Sequence, residues 1–227
     1  MISTSAYGYN YEAELDAMQK LGTATTRTIL MLDPDVTDET LETLNKLGVV
    51  GVRAFFNNEK SVQDAVSLSK RIAKLGWHLD IVLTDEHDKA IFIKKLPELS
   101  CELVLAHQAG ITDVKDTFLE VVIKLLKEKK AWIKISGIFR PFDYAVRMTG
   151  TASDEELKSH LAVSRKLVGA ASDRVIWASD WPFNWSTFSP EEGIQTLVNM
   201  IPLQIENETL MEQILVNNPA KLYKFNI

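Results

Sequence analysis

Two polar residues of general-base type stand where short apolar runs stop. Val175-Ile176-Trp177-Ala178 leads into Ser179-Asp180-Trp181-Pro182, and Leu103-Val104-Leu105-Ala106 leads into His107 and then Gly110. Four apolar residues in a row read as a buried strand, and Pro182 ends the first one because proline has no N–H for a ladder. A carboxylate at such a strand end is costly unless it is solvated, paired or used. Flanked by Trp181 and Trp185, a partly desolvated Asp180 has the chemistry to take a proton from water as a general base. The structural alternative is an Asp that caps the turn toward Ser186. His107 faces the same choice. It lies on the same side of its strand as Leu103 and Leu105, as a satisfied core residue or as a partner of Asp180 at one active-site mouth.

Two arginines hold comparable places. Arg53 follows Val49-Val50-Gly51-Val52, and Arg140 follows Ile135-Ser136-Gly137-Ile138-Phe139. A buried guanidinium needs an anionic partner: Asp180, a substrate carboxylate, or a structural ion pair. Ser136 is placed to hydrogen-bond a ligand, and nothing around it resembles a nucleophile elbow. Ser3 or Ser5, beside Tyr7-Gly8, either lines the mouth or makes a turn. His87 in Asp85-Glu86-His87-Asp88 reads as an acidic helix start. His160, on a polar helix, and His78, near the start of a strand, read as structural. Cys101 is the single cysteine, which excludes an intrachain disulfide; it is read as a small apolar filler beside the Leu103 strand. A catalytic zinc needs about three protein ligands. His107 and Asp180 supply two, and neither His-x-His nor His-Glu-x-x-His occurs.

Short strands alternating with longer amphipathic helices would position these residues. Seven strand candidates stand out: Ile2 to Ala6 (weak), Thr28 to Leu32, Val49 to Phe56, His78 to Leu83, Glu102 to His107, Trp132 to Ser136 and Val175 to Asp180. Helical patterns run from about Tyr11 to Leu21, Asp38 to Leu47, Ser61 to Leu75, Asp85 to Leu96, Asp113 to Lys129, Ser153 to Val168, Pro190 to Met200 and Glu208 to Leu215. Thr37 or Asp38 caps the second, and Gly48 and Gly76 stop the second and third. In the fifth, Val114, Phe118, Val121, Val122, Leu125 and Leu126 form one stripe. The alternation argues for an α/β fold with a parallel sheet, and polar residues after many different strands favour a (β/α)8 TIM barrel. A doubly wound sheet is second, since no glycine-rich phosphate loop follows any strand. A barrel closes with eight strands. An eighth is expected either within Phe139 to Ala152 or in a first β/α unit that is missing.

The composition fits one domain over residues 1–227, with 46% hydrophobic and 25% charged residues. A net charge of −6 with no basic stripe argues against nucleic-acid binding. No secretory signal begins the chain, and no apolar run approaches the roughly 20 residues of a membrane helix. The expected location is cytoplasmic, with no membrane partner.

Six short motifs occur in order: Ser5-Ala6-Tyr7-Gly8; Asp33-Pro34-Asp35 with Gly51-Val52-Arg53; Ala106-His107-Gln108-Ala109-Gly110; Lys134-Ile135-Ser136-Gly137 with Arg140; Ser179-Asp180-Trp181-Pro182; and Asn218-Pro219-Ala220. In this order and spacing the sequence resembles the amidohydrolase-related (amidohydrolase 2) TIM-barrel hydrolases over nearly its whole length. The branch it is most similar to is that of the 2-pyrone-4,6-dicarboxylate lactonases and related sugar lactonases. The resemblance implies hydrolysis of a lactone, with Asp180 activating water and His107 binding or polarising the scissile carbonyl or the water. It implies that Arg53 and Arg140 hold substrate carboxylates, with Ser136 and Ser5 also binding substrate, so that the partner is a small anionic lactone. Some relatives use a divalent metal, zinc or manganese, while the dicarboxylate lactonases work without one; His107 and Asp180 would be the ligands here if any.

Three family features have no match: a first strand with His-x-His, a second arginine shortly after the first (Lys60 is the nearest cation), and a tyrosine within Ile81-Val82-Leu83. The first unit of the barrel is therefore expected to be missing, and open sheet edges would favour a homodimer. Two alternatives stay open: a catalytically impaired or truncated relative that binds a small anion or a partner protein, and a metal-dependent decarboxylase.

Overall fold

A computed structural model describes residues 1–137, 154–182 and 190–226. The chain forms two compact units, Met1–Leu105 with Tyr223–Ile227, and Ala106–Leu222. Each is an assembly of parallel strands and helices, so the α/β class expected from the alternation is observed.

In the first unit, β1 (Thr28–Leu30), β2 (Val49–Phe55), β3 (His78–Val82) and β4 (Glu102–Leu105) pair in that order, all parallel. Every residue of β3 is buried, as a parallel strand covered on both faces requires. The helices between them start on side-chain caps. Ahead of α2 (Asp38–Lys46) the Thr37 hydroxyl accepts from Thr40 N at 3.1 Å. The next helix, α3 (Glu59–Ile72), starts two residues before the expected Ser61 because Asn58 and Ser61 form a capping box. It runs on into a 3₁₀ turn, Ala73–Leu75, that closes on left-handed Gly76 at φ 64°. Asp85 caps α4 (Glu86–Lys95), and His87 is exposed in its acidic first turn as expected. The remaining helix here is α1 (Glu12–Leu21).

The weak first strand candidate is reduced to a single parallel bridge between Ile2 and Ile29. Thr4 Oγ1 accepts from Ala6 N and turns Ser5–Tyr7 into a short 3₁₀ helix instead. Among the described residues there are thus six strands rather than seven. The segment in which an eighth strand was one expectation, Phe139 to Ala152, lies outside the described residues.

In the second unit β5 (Ala131–Ile135) and β6 (Val175–Trp177) pair in parallel, with Ile135 beside Trp177. The helices are α5 (Phe118–Lys127), α6 (Asp154–Ala171), α7 (Pro190–Gln204), α8 (Glu208–Glu212) and α9 (Asn218–Tyr223). The helix expected from Asp113 begins only at Phe118. Asp113 Oδ1 accepts from Lys115 N and Asp116 Oδ1 from Phe118 N, both at 2.8 Å. These local turns compete with the helix and leave Val114 exposed, outside the apolar stripe. Phe118, Val122, Leu125 and Leu126 are buried as that stripe requires.

One π-helical turn, Gln213–Asn217, precedes Asn218. The Asn218 amide then donates to the carbonyls of Ser172 at 2.7 Å and Val175 at 2.6 Å. One side chain satisfies two backbone acceptors at the start of β6. The helix carrying His160 was expected to be polar, yet His160 is only 3% exposed. Burial holds its imidazole down at about 4, against an ordinary 6.5.

Two outcomes are expected. A Cβ on Gly51 would meet His78 Nε2 and the His78 carbonyl oxygen, each at 2.8 Å. Gly51→Ala should therefore destabilise by about 1–3 kcal/mol in urea unfolding. For His160, the folded state binds its proton less readily than the unfolded chain. Its contribution is complete above pH 6.5 and is lost as pH falls toward about 4. The loss is on the order of 3 kcal/mol, and His160→Gln should flatten that part of the stability–pH curve.

Candidate active site

The chain after β4 turns left-handed. His107, Gln108, Ala109 and Gly110 have φ of 52°, 53°, 57° and 69°. Only glycine adopts this region freely, and each of the other three residues costs roughly 1–2 kcal/mol there. Asp180, three residues past the end of β6, is also left-handed at φ 58°. Strain of this kind persists where surrounding structure holds it, and it concentrates at functional sites.

Within the second unit these strained residues meet. His107 Nε2 lies 3.7 Å from Asp180 Oδ1, and His107 Nδ1 lies 3.0 Å from Ser136 Oγ just past β5. The imidazole is thus flanked by a carboxylate on one nitrogen and a hydroxyl on the other. A carboxylate beside Nε2 favours the proton on that nitrogen. Nδ1 is then the acceptor, and Ser136 donates to it. The 3.7 Å separation is longer than a hydrogen bond, so the carboxylate lies near Nε2 without being bonded to it. Asp180 is 27% exposed at its side chain and His107 12%, so the pair is part-desolvated while the carboxylate still reaches water. Such a pair can take a proton from water and polarise a carbonyl beside it.

The three residues come from three separate stretches of sequence: His107 after β4, Ser136 after β5, and Asp180 after β6. Ser136 was expected to bind ligand, and its described bond is to His107. Trp181 was expected to help desolvate Asp180, yet it is 62% exposed. Trp185 and Arg140 lie outside the described residues.

The first unit holds the other candidates. Arg53 Nε lies 3.8 Å from Asp80 Oδ1, and Asp80 is fully buried. The pair is dictated by register, because Arg53 of β2 stands beside Asp80 of β3. Asp80 lies outside the strand-end pattern that points to Arg53. Its signal was a carboxylate in the middle of the apolar run His78-Leu79-Asp80-Ile81-Val82, on the strand after the one that carries Arg53. Arg53 Nη1 also lies 3.5 Å from the Ser3 carbonyl. Ser3 is buried, and its hydroxyl has no hydrogen-bond partner among the described residues. Ser5 sits exposed in the 3₁₀ turn. His78 is buried, with its ring 5.8 Å from that of Tyr223. Burial pushes the Cys101 thiol up to about 12, which suits the inert role expected of it.

Among the described residues no cluster of three or more His, Cys, Asp or Glu side chains is placed to hold a metal ion. The donors described do not fit the requirement of a catalytic zinc.

The amidohydrolase family model matches residues 4–225, and the chain belongs to that family. It is 28% identical over 240 residues to the 2-pyrone-4,6-dicarboxylate hydrolase of Comamonas testosteroni, a match covering 98% of this chain and 74% of that one. It is 24% identical over 234 residues to the 4-sulfomuconolactone hydrolase of Hydrogenophaga intermedia, covering 98% and 73%. The protein is thus an enzyme of the hydrolase type these relatives represent. A crystal structure of an amidohydrolase from Burkholderia multivorans with bound zinc shares the fold. Its TM-score is 0.70 at 16% identity, over 94% of this chain and 78% of that one. No helix among the described residues is long and apolar enough to cross a membrane.

Removing a guanidinium from beside a buried carboxylate takes away part of what offsets that carboxylate's desolvation. Arg53→Met should lower unfolding stability by on the order of 3 kcal/mol, read in urea unfolding.

Proposed function

We propose that this protein hydrolyses a small anionic lactone, with Asp180 as the general base. The observation that carries this reading is the strained, part-buried pair of His107 Nε2 and Asp180 Oδ1 at 3.7 Å, with Ser136 on the far ring nitrogen. The names of the two relatives support the substrate class, since a pyrone dicarboxylate and a sulfomuconolactone are both cyclic esters bearing acidic groups.

In this reaction Asp180 takes a proton from water as the water oxygen bonds to the ring carbonyl carbon. The N–H of His107 Nε2 hydrogen-bonds the carbonyl oxygen and stabilises the charge that develops on it. The tetrahedral intermediate then expels the ring oxygen. Asp180 returns its proton to that oxygen, and the product is the ring-opened hydroxy acid. Ser136 holds the ring in the tautomer this requires. No step passes through a metal. The same reading gives Arg53 and Arg140 to the substrate's carboxylates and Ser5 to its binding. It takes residues 1–227 as one domain whose β/α repeats belong to a (β/α)8 barrel.

Turnover of a panel of carboxylated lactones, with and without added zinc or manganese, tests the proposal. Asp180→Asn should reduce turnover by about 10²–10⁴-fold with its unfolding midpoint near that of the wild type. Unchanged turnover in this variant would remove Asp180 as the base. A folded wild-type protein that is silent across the whole panel would favour a non-catalytic, anion-binding relative.

A further inference from the structure

The lactone reaction as drawn does not use a buried polar chain in the second unit. Gln108 is the second residue of the left-handed turn and is fully buried. Its Oε1 accepts from Ser164 Oγ of α6, and its Nε2 donates to the Ile111 carbonyl at 3.4 Å. Gln204, the last residue of α7, donates from Nε2 to Ser164 Oγ at 3.2 Å. Ser164 is fully buried and Gln204 is 2% exposed. The Ser164 hydroxyl thus accepts from one amide and donates to the other. Its longer 3.4 Å contact to the His160 carbonyl is secondary, since a hydroxyl has one proton to donate.

Such a chain is directional. An apolar plug of the same volume would fill the space as well, but it would not select one conformation of the loop above it. The loop needs selecting, because His107, Gln108 and Ala109 are non-glycine residues in the left-handed region. The backbone that turns Gln108 inward onto Ser164 is the same backbone that presents the preceding His107 to Ser136 and Asp180. We propose that Ser164 and Gln204 are positioning residues that act through Gln108 to fix the imidazole of His107. This rests on the reading that His107 works at the site, but its own test needs no substrate.

The test is long-range ¹H–¹⁵N NMR of histidine-labelled protein, in which His107 is one of four histidines and is assigned by its loss in His107→Gln. In the wild type His107 should show a single tautomer with the proton on Nε2. Ser164→Ala should leave the protein folded while the His107 nitrogens average toward a tautomer mixture. If the lactone reaction has been found, kcat should fall by up to about 10²-fold with KM little changed. Ser164→Thr, which keeps the hydroxyl, should restore the wild-type pattern. If Ser164→Ala does not fold, Gln204→Leu is read in the same way. A folded variant with an unchanged His107 tautomer overturns the proposal. So does the failure of both variants to fold, since the network would then be a folding element. Because the tautomer is measured without substrate, a failed search for a lactone does not imitate either result.

Discussion

The imidazole of His107 is engaged at both ring nitrogens, and the local structure of the second unit is arranged around that constraint. Ser136 is 3.0 Å from Nδ1 and Asp180 is 3.7 Å from Nε2. Two-sided contact decides which nitrogen carries the proton and which way the ring faces. It also requires backbone in an unfavourable region at both His107 and Asp180, with φ of 52° and 58°. A residue selected for packing alone has no reason to sit there, because an extended or right-handed backbone is available at no such cost. Lys129 and Lys224 are left-handed as well, at φ 57° and 58°, so the proposed site rests on the meeting of His107, Ser136 and Asp180 and not on backbone strain alone.

Strain of this size needs support from groups that cannot relax. Beneath the turn, Gln108, Ser164 and Gln204 form a buried chain with a defined direction of donation. At the other end, Asn218 occupies the carbonyls of Ser172 and Val175 and so fixes the start of β6, five residues before Asp180. Each support uses a polar side chain in a dry place. Fully satisfied, such groups specify one arrangement; left unpaired, each would cost about 1–3 kcal/mol. The same logic holds in the first unit, where the desolvation of Asp80 is offset in part by the Arg53 guanidinium on the adjacent strand.

Three site candidates fall just past strand ends for a common reason, while Arg53 lies within β2. A parallel strand covered on both faces tolerates few polar side chains within it, so polar groups collect where the ladder stops. His107 follows β4, Ser136 follows β5 and Asp180 follows β6. Some buried polar side chains do stand inside strands, among them Asp80 and His78 in β3 and Lys134 in β5, and parallel register brings Arg53 beside Asp80.

Much of this was legible in the amino-acid order. Short, largely apolar runs between amphipathic segments determined the β/α alternation, and the cap at Thr37 and the helix start at Asp85 hold in the fold, whereas the Asn58 capping box moves the start of α3 ahead of the expected Ser61. The sequence also singled out His107, Ser136 and Asp180, because a polar residue after an apolar run is visible without any tertiary information. What it left open were the partners. Arg53 had three candidate anions, and the one beside it is Asp80, which depends on the pairing of β2 with β3. His160 lies on a helix that reads as polar, but it is buried because helix packing decides which face is covered. The left-handed turn gives no sequence signal at His107, Gln108 or Ala109, since none is glycine. Its conformation is set by Ser164 and Gln204, which lie far along the chain from it. Composition and spacing therefore determined where polar groups stand along the chain. Which of them touch, and which ring nitrogen meets which oxygen, was decided only by tertiary structure, because hydrogen bonds and desolvation act between atoms that only packing brings together.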